Sequence, residues 1–189
     1  MRTKKRTKNN LVLFGGGRAA SERDLACSRY FARALVRAGH VVSVGCASGV
    51  DAAAIVGCLS IGALPRVFAV FAKSGQGSWR SSATKIVQAA AKAGAAVIWS
   101  AGGSARVPFA TRLMRRSLAA LAGCGLAVFF APGRGSLQVA RAALRAGVPV
   151  LLWRVGLPAA PALQVKAQSV IYLGFNFWLY QPGYQPHLF

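Results

Sequence analysis

Three short turns hold the residues best suited to chemistry in this chain. Gly15-Gly16-Gly17-Arg18, Ser48-Gly49-Val50-Asp51 and Gly133-Arg134-Gly135-Ser136 each set small residues beside a hydroxyl, a guanidinium or a carboxylate. Glycines let backbone N–H groups approach a ligand closely, and N–H groups at a helix start hold phosphate oxygens. Arg112, Arg115 and Arg116, at i, i+3 and i+4, share one helical face and would extend the same basic strip. Asp51 can contact a sugar hydroxyl or a base amine. Alternatively it stabilises a helix start by about 0.3–1 kcal/mol through the macrodipole. Gly15–Arg18, Ser48, Gly49, Asp51, the three arginines and Gly133–Ser136 are therefore the candidate phosphate- or nucleic-acid-binding residues.

What the chain lacks narrows that chemistry further. Glu22, Asp24 and Asp51 are its only side-chain carboxylates, and none follows Asp51. A catalytic carboxylate pair, an acidic magnesium cage or an EF-hand has almost nothing to be built from. His40 and His187 are the only imidazoles, and neither sits in a triad-like motif. Cys27, Cys46, Cys58 and Cys124 show no C-x-x-C spacing and lie among small or apolar residues, which reads as buried thiols rather than a zinc site. No catalytic set, metal or cofactor is expected, and the balance favours a binder over an enzyme.

Charge points to the partner. Lys and Arg number 24 against 3 Asp and Glu, a formal net charge of +21 over 189 residues, so a polyanion is the natural ligand. The apolar fraction of 54% excludes a disordered chain, and the length suits one well-buried domain. The apolar run Leu11 to Phe14 is too short for a signal-peptide core. Leu118 to Ala131 falls short of the roughly 20 residues of a membrane helix and is broken by Gly123 and Gly125. The expectation is a soluble, cytoplasmic protein without a membrane partner.

The elements that must position these turns are legible in one recurring phrase. Arg37-Ala38-Gly39, Lys92-Ala93-Gly94 and Arg145-Ala146-Gly147 each close an alanine-rich stretch with a cation and then a glycine, and each leads into β-branched residues. A cation in the last turn followed by glycine is how helices end, and immediate return to a strand is the βαβ rhythm. Ser21 caps a helix with Glu22 and Asp24 in its first turn. Adding Leu11–Phe14, Val67–Phe71 and Leu126–Phe130 gives about six strands without polar alternation, as in a parallel sheet covered on both faces. The predicted fold is α/β, a Rossmann-like open, mostly parallel sheet with helices on both faces and ligands at the strands' carboxyl ends. It occupies residues 11–154, after a flexible basic arm at 1–10.

These motifs, in this order, resemble the DNA-processing protein A (DprA/Smf) family. Ala47-Ser48-Gly49-Val50-Asp51-Ala52-Ala53-Ala54 is similar to the family's S-G-x-A-x-G-I-D-x-x-A-H, and Gly135-Ser136-Leu137 to its S-G-S-L-x-T-A. Arg115-Arg116-Ser117 stands near the place of R-N-R, matching only its first arginine. Ile55 replaces the motif's histidine, and Phe130 stands where the fifth strand often ends in an acid. The resemblance covers roughly Leu11 to Trp153 and implies non-covalent binding of single-stranded DNA in DNA processing or recombination, with a recombinase as protein partner.

Pro132-Gly133-Arg134-Gly135-Ser136 is also similar to the P-G-G-x-G-T loop of the "lonely guy" phosphoribohydrolases, members of the same Rossmann-like superfamily. The alternative that follows is a binder or hydrolase of a small nucleotide-derived ligand. Those enzymes need a glutamate soon after the loop, and none is present, which disfavours hydrolysis but not phosphate binding.

From 155 to 189 the chain becomes an aromatic-rich extension. Val155 to Pro161 reads as a linker and Ser169 to Tyr180 as a strand or hairpin arm. The extension is expected to fold back on the domain or on a second subunit of a homodimer. A sharper alternative is a stacking platform for unpaired bases, at about 1–3 kcal/mol per stack.

Overall fold

The computed structural model describes residues 10–77, 82–154, 163 and 169–182. The basic arm, apart from Asn10, and the Val155–Pro161 linker lie outside the described residues.

Alternation of strand and helix begins at once. The apolar run at the start forms β1 (Leu11–Gly16), followed by α1 (Glu22–Arg37), β2 (Val41–Val44), α2 (Val50–Leu59) and β3 (Arg66–Phe68). Then come α3 (Ser82–Lys92), β4 (Val97–Ile98), α4 (Phe109–Leu121), β5 (Leu126–Phe130), α5 (Arg134–Arg145) and β6 (Val150–Trp153). An antiparallel hairpin, β7 (Ser169–Gly174) and β8 (Phe177–Gln181), ends the described chain.

Local chemistry accounts for the helix boundaries. At the start of α1 a reciprocal capping box forms: Ser21 Oγ accepts from the Asp24 N–H (3.2 Å), and the Asp24 carboxylate accepts from the Ser21 N–H (2.8 Å). Helices α1, α3 and α5 end at Arg37, Lys92 and Arg145, each followed by a glycine with φ between 74° and 99°.

One sheet runs β4-β3-β2-β1-β5-β6-β8-β7. It has eight strands rather than the expected six, because the C-terminal hairpin joins its edge through antiparallel pairing of β8 with β6. Strands β1 to β6 pair in parallel. Alternate residues therefore feed two cores. Val12, Phe14, Val42 and Val44 pack with Ala32, Ile55 and Val87 from α1, α2 and α3. Leu13, Ala127 and Phe129 pack with Ala120, Val139 and Leu144 from α4 and α5. Burying the Val, Leu, Ile and Phe side chains among these contributes on the order of 1.5–3 kcal/mol each. Ser43, the one polar inward residue of β2, donates its hydroxyl to the Ala120 carbonyl at 2.7 Å.

Phe130 explains how the sheet dispenses with an acid at the end of β5. Its ring is fully buried, stacks on Phe14 at 5.4 Å between centroids, and meets Phe31, Trp153 and Phe177 edge-on or tilted. This aromatic cluster ties the hairpin to α1 and to the sheet centre.

The chain travels from β1 outward to β4 and then returns to place β5 on the other side of β1. The carboxyl ends of β1 and β5 thus form the switch point of the sheet, where open α/β folds take their ligands.

Candidate functional site

A cleft of about 730 Å³ opens at that switch point. Gly15 and Gly16, which continue β1 beyond the expected strand end at Phe14 by pairing with Phe129 and Phe130 of β5, Gly17 and Arg18 after it, Asp51 on α2, Arg116 on α4, and Gly133, Gly135 and Ser136 at the start of α5 all line it. Turns that are far apart in sequence are thus brought to one mouth.

Backbone contacts hold them there. The Gly17 N–H donates to the Phe130 carbonyl at 3.1 Å, and the Gly17 carbonyl accepts from the Val50 N–H at 3.2 Å. The β1 turn is clamped between the ends of β5 and the start of α2. A methyl on Gly17 would meet the Ala131 carbonyl, and one on Gly49 the Gly17 and Arg18 carbonyls. Gly49, with φ 77°, is therefore placed by close approach and by its left-handed conformation. Across the mouth, Ser136 Oγ donates to the Gly16 carbonyl at 2.9 Å, fastening α5 to the same turn.

Gly133 and Gly135 are different: nothing lies within 4 Å of where their side chains would be. No side chain caps α5, so the N–H groups of its first turn meet the cleft with the positive end of the helix dipole. That is an arrangement for an anion.

The floor is an ion pair. Arg116 Nη1 lies 3.3 Å from Asp51 Oδ2, and the same oxygen accepts from the Ala47 N–H at 3.1 Å. Both side chains are buried. Burial pushes the Asp51 carboxyl up, and the Arg116 charge and the Ala47 amide oppose that shift. Gly45 leaves the room they need, since a side chain there would fall on the Arg116 guanidinium.

The other predicted residues fall elsewhere. Ser48 lines a smaller neighbouring pocket of about 240 Å³, shared with Arg18, Phe71 and Thr84. The i, i+3, i+4 arginines of α4 do not act as one strip. Arg116 pairs with Asp51, while Arg112 is buried, donates to the Val70 carbonyl at 3.4 Å and lies over the Phe109 ring. Arg115 is exposed, and so is Arg134; neither lines the cleft. Arg154, the exposed first residue after β6, does line it, although no motif in the sequence marks it. Its position at a strand's carboxyl end was the available signal.

The fold recurs in solved structures. DNA processing protein A from Helicobacter pylori, described for its single-stranded DNA binding mode, superposes with a TM-score of 0.64 at 19% identity, covering 82% of this chain and 71% of that one. DNA processing protein A from Streptococcus pneumoniae gives 0.59 at 18%, covering 78% of this chain but only 51% of that one. The molybdenum cofactor carrier protein of Chlamydomonas reinhardtii gives 0.53 at 18%, covering 76% and 75%. A search of curated proteins by sequence returns no match. The family model for DNA recombination-mediator protein A matches residues 3–168, most of the chain, and this protein belongs to that family.

Proposed function

We propose that this protein binds single-stranded DNA without cutting it, holding phosphates at the mouth between β1 and β5. One observation carries the reading. Asp51, the only acid lining the cleft among the described residues, is already neutralised by Arg116. Arg18, Arg154 and the uncapped start of α5 are then the charges presented to an incoming anion. The excess of 24 basic over 3 acidic residues supplies the long-range attraction. Single-strand binding by the Helicobacter pylori relative accords with this.

Among the described residues no helix is long and apolar enough to cross a membrane. The reading extends to action in the cytoplasm, with a recombinase as protein partner and a homodimer as the working form.

A salt titration of oligothymidine binding tests it. On single strands the log–log slope is about −0.7 per neutralised phosphate, so a grip on several phosphates gives a steep fall in affinity. A flat response, together with tight binding of a free nucleotide at the same cleft, would replace the strand by a small nucleotide-derived ligand.

A further inference from the structure

At the tip of the C-terminal hairpin the chain sets an aromatic ring where glycine or asparagine is normal. Gly174 pairs with Phe177, leaving Phe175 and Asn176 as a two-residue turn with φ 49° and 65°. Such turns need positive φ at both positions, which a bulky side chain disfavours. Phe175 is nonetheless there, and it is 90% exposed. Neither local conformation nor burial accounts for it.

The turn is also pinned from several sides. Trp153 Nε1–H donates to the Phe175 carbonyl at 3.0 Å, the Arg154 N–H to the Asn176 carbonyl at 3.3 Å, and the Asn176 N–H to Tyr172 Oη at 3.3 Å. Tyr172 in turn packs on Trp178 at 4.6 Å. The result is an anchored turn with one ring held out to solvent.

Its place in the fold indicates what the ring meets. Trp153 of β6 is in register with Phe177 of β8, so the tip stands at the carboxyl end of β6, the end at which the cleft opens. Arg154 joins the two: it lines the cleft, and its backbone holds the turn. No Asp, Glu, Lys, Arg or His lies between Lys166 and the tip, so this arm of the hairpin offers a strand no formal charge but a flat π-face.

We propose that Phe175 is a base-stacking residue, taking an unpaired base of the strand whose phosphate Arg154 contacts. This rests on the strand-binding reading above and extends its path from the cleft onto the hairpin tip. Stacking on aromatic side chains is tolerant of base identity because every base has a π-face.

The test compares wild type with Phe175→Asn and Phe175→Trp on oligothymidine and on an oligonucleotide carrying 2-aminopurine. Asparagine accepts the turn's backbone, so thermal stability should hold or rise. Affinity should fall about five- to 150-fold in Phe175→Asn, at an unchanged salt slope because no charge is removed. Wild type and Phe175→Trp should quench the 2-aminopurine, and Phe175→Asn should not. Wild-type affinity in Phe175→Asn, with the steep salt slope intact, overturns the stacking role and leaves the phosphate grip standing. A flat salt response in wild type overturns both. Dimers that fall apart in Phe175→Asn at unchanged affinity would assign the ring to a second copy of this chain and overturn the proposal.

Discussion

Asp51 and Arg116 meet at 3.3 Å beneath Gly45, both buried, one from the start of α2 and the other from the middle of α4. The pair joins helices on opposite faces of the sheet at the bottom of the cleft. Its energetics are those of charges removed from water, where one partner alone is far worse than none.

Asp51→Ala should therefore lose about 3–5 kcal/mol, because it strands the guanidinium. The Nε of Arg116 finds no acceptor among the described residues, so the pair is incompletely satisfied. An apolar double variant, Asp51→Ala with Arg116→Leu, should recover most of the loss. Urea unfolding of the two singles and the double checks this, and a double variant as unstable as the sum of the singles would refute it.

Glycines that look alike in sequence should respond oppositely to alanine. Gly49→Ala meets the Gly17 and Arg18 carbonyls and forces φ 77° on a residue with a side chain, so a loss of about 2 kcal/mol or more is expected. Gly135→Ala, in open space in the first turn of α5, should be neutral or stabilising by up to about 1 kcal/mol. Thermal melts separate the two. Only the Gly135 variant should then show an effect on DNA binding in a fully folded protein.

Burial gives the protein an alkaline limit. It pushes the thiols of Cys58 and Cys124 up to about 11 and the Tyr180 phenol up to about 12. A raised value means that the folded chain keeps protons the unfolded chain has released. The stabilisation is complete below about pH 9, where unfolded thiols begin to ionise, and is lost as pH rises through 11 to 12. Urea midpoints should be flat from pH 7 to 8.5 and fall above 9, by on the order of 2 kcal/mol per thiol at the limit. Cys58→Ala with Cys124→Ala should reduce that fall, leaving the contribution of the buried Cys46 thiol, which burial also pushes up, and the later Tyr180 step.

How far the sequence carries depends on how local each determinant is. The ends of α1, α3 and α5 were readable because the cation and the glycine that mark them lie within three residues of each other. The three turns are readable because each lies at, or within four residues of, the carboxyl end of a strand. The hairpin resisted a firm strand count: Ser169–Tyr180 is apolar on both faces, and apolar runs do not tell pairing partner or direction. Helical spacing alone groups Arg116 with Arg112 and Arg115 on one face. The acceptor of Arg116 lies 65 residues away in sequence, so only the packing of α4 across β2 reveals it. The cleft could be anticipated from its glycines, but the division of labour among its arginines could not.

That division yields a separate expectation for each arginine. Arg18 and Arg154 are exposed and line the cleft, so each, replaced by Gln, should lower affinity and reduce the magnitude of the salt slope by about 0.7 with little change in stability. Arg112 is buried on the Val70 carbonyl and the Phe109 ring, so Arg112→Gln should cost stability and leave the slope of the folded fraction unchanged. Arg115 is exposed outside the cleft and serves as the control for net charge, since Arg115→Gln removes the same charge from the same protein. Long-range attraction alone would make the three exposed arginines equivalent, each weakening binding slightly through the overall field. Direct phosphate contact makes Arg18 and Arg154 differ from Arg115 by a step in the slope. Equal slopes for all three would move the strand off the mouth between β1 and β5, whatever the affinity of the wild-type protein.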